Sequence, residues 1–224
     1  MDSVHIKTPM IVTRRNTTPA RNTYRHGDLR RALLDAGIEL ARQGGPDAVV
    51  LREATRRAGV APNAAYRHFA NRDDLLGAVR AAAVAAVAEA MEAELAQVPV
   101  TGTPTAQAHA RVRAVGAGYM RFAYAETGLF RTAFGGRFTV QHDPDPAKGG
   151  ATGLNPFQHL SQALDDLVTA GALPPERRPG AEYLAWSTVH GMTLLAIDGP
   201  LSGSPEALLD ALGQRLLDMV QRGL

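Results

Sequence analysis

With 224 residues, 45% of them hydrophobic and none of them cysteine, the chain can bury one large core or two small ones and excludes disulfide scaffolds, thiolate zinc modules and cysteine nucleophiles. Its longest apolar run, Ala81 to Ala88, is too short for a bilayer and no signal-peptide core opens the chain, so no membrane partner and a cytoplasmic location are expected. Lys and Arg outnumber Asp and Glu 14 to 8 over residues 1–80, whereas over 81–224 they are outnumbered 10 to 14, which is +6 in front and −4 behind. A polyanion-facing front is one reading of that asymmetry and chance scatter is the other.

Residues 1–23 are polar and hold Lys7, Arg14, Arg15 and Arg21 against Asp2, which reads as a flexible basic arm that could follow a phosphate backbone or be an unselected tail. From Gly27, Leu29, Leu33, Ala36 and Leu40 recur on one helical face until Gly44-Gly45-Pro46 ends it. A second short helix carries Val50, Ala54 and Ala58 and stops at Gly59, which can take the left-handed conformation of a tight turn. Pro62 suits the first position of a third helix running toward Phe69. Asn71 is a plausible N-cap for a long fourth helix, with Asp73 and Asp74 at the positive end of its dipole and Leu76, Val79, Ala83, Val87, Met91 and Leu95 as one stripe to Pro99.

Further helices are expected over about 104–125, 127–135 and 155–172, then over 181–198 and 205–222, about nine in all with no sheet. Gly135 to Asn155 is rich in Gly, Pro and Asp and reads as a long loop, a mobile lid or a disordered stretch. The fold class expected is all-α.

Two short helices around a glycine turn, backed by a first helix and followed by a long one, is the order of a helix-turn-helix module. Val60 and Phe69 would pin the second of them to the core, while Asn63, Ala64, Ala65, Tyr66, Arg67 and His68 would present a face to the major groove. Asn63 offers the paired donor and acceptor that suit adenine, Arg67 suits guanine or phosphate, and the Tyr66 hydroxyl suits a phosphate. Arg52, Arg56, Arg57 and Arg72 would form a basic rim. The spacing fits a helical hairpin with a solvated polar face equally well.

The stretch Tyr24 to Arg80, with Leu51-Arg52-Glu53, Arg57-Ala58-Gly59-Val60, Tyr66-Arg67-His68-Phe69 and Asn71 to Leu76, closely resembles the DNA-binding domain of TetR-type transcriptional regulators. Trp186 to Gly191 resembles the Trp…His-Gly signature of the WHG class of C-terminal domains in that family. The resemblance implies a homodimer in which residues 24–72 bind a palindromic double-stranded operator, through Arg52, Pro62, Asn63, Ala64, Tyr66, Arg67, His68 and Arg72. Residues 73–224 would then hold a small-molecule effector and the dimer contact. The chain departs from the family pattern at Ala61, where Ser or Thr usually caps the recognition helix, and at Ala54-Thr55, where a large apolar residue usually precedes alanine.

Tyr119, Phe122, Phe130, Phe134, Trp186, His190 and Met192 are candidates to line an effector pocket, although aromatic and Met residues at helical spacing also build ordinary cores. For His190 the competing reading is a buried ring that holds a backbone carbonyl. The resemblance places a four-helix dimer contact on the last two helices, where Leu184, Val189, Leu194, Leu208, Leu212, Leu216 and Met219 are candidates, or else part of the intramolecular core. No phosphate-binding glycine loop, no His-Glu-x-x-His pair and no nucleophile elbow is present, so neither an enzyme nor a metal or cofactor site is expected. A ligand-released repressor is therefore the leading expectation, ahead of a constitutive architectural DNA binder and an all-helical enzyme.

Overall fold

The computed structural model describes residues 26–136 and 145–224; the expected basic arm at 1–23 and the middle of the expected loop, 137–144, lie outside the described residues. Among the described residues there are nine α-helices and no strand. They are α1 (His26–Ala48), α2 (Leu51–Arg57), α3 (Pro62–Ala65), α4 (Arg72–Leu95), α5 (Pro104–Ala125), α6 (Thr127–Phe134), α7 (Pro156–Thr169), α8 (Ala181–Ile197) and α9 (Glu206–Gly223).

Local chemistry sets most of the boundaries. Helical geometry breaks inside α1 at Gly44 and Gly45, the latter at φ +69°, so Pro46 falls after the kink. Gly59 sits at φ +68° and turns the chain between α2 and α3. Asn71 caps α4 by accepting from the Asp74 amide, and Thr103 caps α5 by accepting from the Ala106 amide. Asn155 and Gln158 form a reciprocal capping box at the start of α7, a signal the sequence reading passed over.

The third helix is shorter than expected. It ends at Ala65, whose carbonyl accepts from the amides of both His68 (2.9 Å) and Phe69 (3.0 Å), so the chain reaches Phe69 through tight turns. A four-residue helix opened by Ala61, which has no capping side chain, gains little from its own hydrogen bonds and is held by packing. Ala65 (0% exposed) and Phe69 (2%) supply that packing, and the Arg30 guanidinium lies 5.1 Å over the Phe69 ring. Beneath α2, Ala54 and Thr55 are both buried, and the Thr55 hydroxyl donates to the Leu51 carbonyl at 2.6 Å. The departure from the family pattern there leaves no unmet polar group.

Helix α4 is the axis of the molecule. It packs on α1 at one end, on α6 in the middle and on α5 and α7 farther along. Leu75, rather than the expected Leu76, is fully buried, together with Val79, Ala83, Val87 and Met91; Ala81 and Ala88 are buried as well. A helix covered on several sides needs small residues, and the alanine run supplies them.

Two glycines fix how closely the neighbours approach. A Cβ on Gly118 of α5 would stand 2.6 Å from the Met91 Cα and 2.7 Å from the Ala90 carbonyl oxygen. A Cβ on Gly128 of α6 would strike the Ala41 and Arg42 carbonyl oxygens of α1. Both obstacles are backbone, which cannot swing aside. Gly118→Ala is therefore expected to lower the unfolding free energy by about 1–3 kcal/mol, a shift that urea denaturation followed by helical circular dichroism would resolve.

Candidate DNA interface and ligand cavity

The segment from Pro62 to Phe69 turns a mixed face outward. Asn63 and Arg67 are exposed, Tyr66 is 53% exposed, Ala64 and His68 are half-buried, and Ala65 faces the core instead of the outside. Pro62 opens α3, its side chain lying outside the described residues. Arg52 is exposed at the start of α2.

Much of the expected basic rim is already engaged within the fold. Glu53 accepts from the Arg56 guanidinium at 2.6 and 2.9 Å and from Arg57 Nε at 3.1 Å, and these hydrogen bonds hold its carboxyl down to about 2. Arg57 also donates to the Gln43 side chain at 2.8 Å. Arg72 donates Nε to the Val49 carbonyl (2.9 Å) and Nη2 to the Pro46 carbonyl (2.7 Å), tying α4 to the connection between α1 and α2. Among the described residues Arg52 and Arg67 have no ion pair and no side-chain hydrogen bond. Arg52 of the rim and Arg67 of the outward segment thus keep all five N–H donors free.

On the far side of the molecule, α4 to α9 surround a cavity of about 60 Å³. Tyr119, Phe134 and Trp186 of the expected set line it. Phe130 is fully buried behind them, its ring 5.2 Å from Tyr119 and 4.9 Å from Phe134. Phe122 is buried elsewhere on α5, and neither it nor Met192 reaches the cavity wall. Met91, Phe157, Leu160 and Leu217 also line it and were missed, because each also satisfies the ordinary core spacing of its own helix.

Trp186 and His190, one turn apart on α8, converge on the Tyr119 hydroxyl of α5. Trp186 Nε1 donates to that oxygen at 3.2 Å, and His190 Nδ1 stands 2.7 Å from it. Tyr119 is 2% exposed, so its own proton needs an acceptor, and His190 Nδ1 provides one. The imidazole proton then resides on Nε2. Burial pushes the Tyr119 hydroxyl far above its ordinary value and lowers His190 below 6.5. The competing reading of His190 as the holder of a backbone carbonyl is replaced by a side-chain chain, Trp186 to Tyr119 to His190.

A half-buried carboxylate fastens the segment before α7. Glu92 of α4 accepts from the Ala151 amide (2.9 Å), the Thr152 amide (3.0 Å), the Thr152 hydroxyl (2.6 Å) and His159 Nε2 (3.1 Å). Burial raises its pKa, but the Thr152 hydroxyl and the two amides outweigh that and hold it below the usual carboxylate value. Residues 149–155 are thus strapped to α4 beside Met91, where the sequence suggested a lid or disorder.

The last two helices expose Leu184 (66%), Leu194, Leu208 and Met219, with Tyr183 and Leu195 beside them, while Leu212 and Leu216 are half-buried. Val189 is buried and lines the cavity, so it belongs to the intramolecular core. Among the described residues no helix is long and apolar enough to cross a membrane, and no group of three or more His, Asp or Glu side chains is placed to hold a metal ion.

Comparison with known families agrees with both halves of this geometry. Residues 33–79 match the model for bacterial regulatory proteins of the tetR family, and residues 112–220 match that for the tetracyclin repressor-like C-terminal domain. The chain belongs to the TetR family of transcriptional regulators. Among solved structures, a protein of unknown function from Rhodococcus sp. RHA1 is 26% identical with a TM-score of 0.71, over 91% of this chain and 99% of that one. The regulator FadR from Bacillus subtilis, solved in complex with stearoyl-CoA, is 15% identical with a TM-score of 0.62, over 87% and 98% of the two chains. PfmR, a TetR-family regulator from Thermus thermophilus, is 17% identical with a TM-score of 0.53, over 86% and 98%. No curated protein matches.

In this TetR-family regulator, His190 is expected to titrate below pH 6.5 and to carry its neutral-form proton on Nε2. Because its folded-state pKa lies below the unfolded one, the neutral ring contributes stability above about pH 6.5 that is lost as pH falls through the folded value. Nitrogen-15 imidazole shifts recorded from pH 5 to 8 report both; an Nδ1–H tautomer would reverse the Tyr119 bond.

Proposed function

We propose that this regulator is a homodimeric, ligand-released repressor in which residues 24–72 read a palindromic operator and residues 73–224 hold the effector and the dimer contact. One observation carries the reading. Helix α4 begins at Arg72, beside the recognition segment, and its Met91 forms part of the cavity wall. Its 24 residues span about 36 Å, so a tilt of about 5° at the cavity displaces the far end by about 3 Å. Two recognition segments in successive major-groove half-sites, about 34 Å apart, would not tolerate such a change in spacing. The exposed Leu184, Leu194, Leu208 and Met219 support a contact between two copies, since monomers rarely leave so many large apolar side chains on one helix pair open to water.

Asn63 and Arg67, both exposed, would read bases, and Tyr66, Arg52 and His68 would contact the DNA backbone; their exposure supports this reading. Ala64 leaves room for close approach, and Arg72 acts chiefly through the α1–α2 connection it holds. A constitutive architectural binder would have no use for a cavity joined to the recognition segment by one helix.

Duplexes selected from genomic fragments at moderate salt should converge on one palindrome. Tyr66→Ala should weaken binding to every sequence, whereas Asn63→Ala should cost about 1–3 kcal/mol at one base pair and relax preference there. Unchanged operator affinity in both variants would remove the recognition assignment, and selection of unrelated fragments with a steep salt dependence would favour the architectural reading.

A further inference from the structure

The segment from Pro62 to Phe69 is tied to the head of α4 from both of its flanks. On the side that follows it, the Ala70 amide donates to Asp74 Oδ2 at 3.0 Å and the Asp74 amide donates to Asn71 Oδ1 at 2.9 Å, which fixes the turn onto the first residues of α4. On the side that precedes it, Arg72 reaches back 26 residues to the Pro46 carbonyl through Nη2 and to the carbonyl of the buried Val49 through Nε. These two N–H groups share one edge of the guanidinium plane. Arg72 thereby closes a loop of chain that contains α2, the Gly59 turn and the whole outward segment.

The charge of Arg72 is answered within the same module. Asp47 Oδ1 stands 3.9 Å from Nη2 and Asp73 Oδ1 stands 3.8 Å from Nη1, and both carboxylates are exposed. A phosphate approaching the remaining donors would meet two like charges. The exposed Arg52 and Arg67, by contrast, have no ion pair among the described residues.

We infer that Arg72 is a positioning residue for operator reading and not a phosphate ligand: its guanidinium edge fixes the α1–α2 connection to the head of α4, so α4 carries the helix-turn-helix as one closed body. The inference rests on the reading of Pro62 to Phe69 as the recognition segment. Without that edge the front of the loop is held only through the Gly59 turn, and Asn63 no longer keeps one angle to the groove. Affinity and base preference then fall together. The salt dependence of binding counts the phosphates neutralised, so it stays as it was.

The probes are the palindromic duplex recovered by selection and a second duplex altered at the base pair that Asn63→Ala identifies. Fluorescence anisotropy of both would be followed with the full chain from about 50 to 200 mM KCl. Arg72→Lys keeps the charge but loses the planar edge; it should weaken the palindrome about tenfold at every salt concentration, lower the affinity ratio of the two duplexes about threefold or more, and keep the wild-type salt slope. Arg72→Gln, which removes the charge, should keep that slope too, whereas Arg52→Gln should lower it by roughly one per half-site and leave the ratio unchanged. A slope lowered by roughly one per half-site in Arg72→Gln identifies a phosphate ligand and overturns the inference. An unchanged duplex ratio in Arg72→Lys overturns it as well, even if the variant melts at a lower temperature, because a strut with no part in reading moves stability alone. If Arg72→Gln does not fold, Arg72→Lys decides by that ratio. Recovery of no palindrome, or wild-type binding by both Asn63→Ala and Tyr66→Ala, removes the recognition reading and this inference with it.

Discussion

Everything that joins the recognition segment to the cavity depends on helices meeting backbone to backbone. At Gly128 the first turn of α6 lies directly on the carbonyl oxygens that end the regular part of α1, a distance only a residue without a Cβ can occupy. Around that contact Arg42 of α1 donates to Glu126 at 2.8 Å, just before α6, and Arg80 of α4 donates to the Thr132 carbonyl at 3.2 Å. The three helices α1, α4 and α6 thus form one wedge, and the two domains are not beads on a string. A close-packed wedge changes by small rigid shifts or not at all, because interiors at this density have no slack to absorb displacement.

Buried polar groups then decide where the cavity region can yield. The chain from Trp186 to Tyr119 to His190 is internally satisfied and ties α5 to α8, so breaking it exposes unpaired donors and acceptors in an apolar setting. Glu92 ties α4 to the strap at 149–155 through four donors and ends in the same condition if the strap leaves. By contrast, Arg113 of α5, which donates to Asp218 and Gln214 of α9, has donors to spare and partners that are half exposed, with side-chain exposures of 33% and 51% for Arg113 and Asp218. The α5–α9 contact is therefore the one among these that can open at low cost, since water can take over its bonds.

The elements were legible wherever a single residue dictates the local geometry. Gly59 at φ +68° and Asn71 accepting from the Asp74 amide are what their residue types and positions predict, and they frame the helix-turn-helix. Helix periodicity placed the nine segments, but it cannot say which of several buried faces meets which neighbour, so Leu75 was passed over for Leu76 on a helix that is buried on more than one side. The cavity was half legible: aromatic residues drew attention to Tyr119, Phe134 and Trp186, while Met91, Phe157 and Leu217 look like any core residue until α4, α7 and α9 are brought together. Glu92 and Thr152, 60 residues apart in sequence, carried no local signal at all. Long-range polar pairing is set by topology, and one sequence does not print it.

The charge asymmetry of the chain has a different meaning in the folded molecule than along the sequence. The excess of basic over acidic residues up to residue 80 admits a polyanion-facing front or chance scatter, yet Glu53 takes up Arg56 and Arg57, two backbone carbonyls take up Arg72, and Arg30 lies over Phe69. These cations shape the module more than they advertise it. Arginine suits such work because its planar fork can bridge two acceptors, and each bridge fixes the connection that aims the recognition segment. Arg52 and Arg67 are left free on the described surface, and in the proposed reading discrimination falls to the direction in which Asn63, Tyr66 and Arg67 point. That direction is set by the buried Ala65 and Phe69 on the opposite side of the same short segment, so the recognition chemistry is only as precise as the packing beneath it.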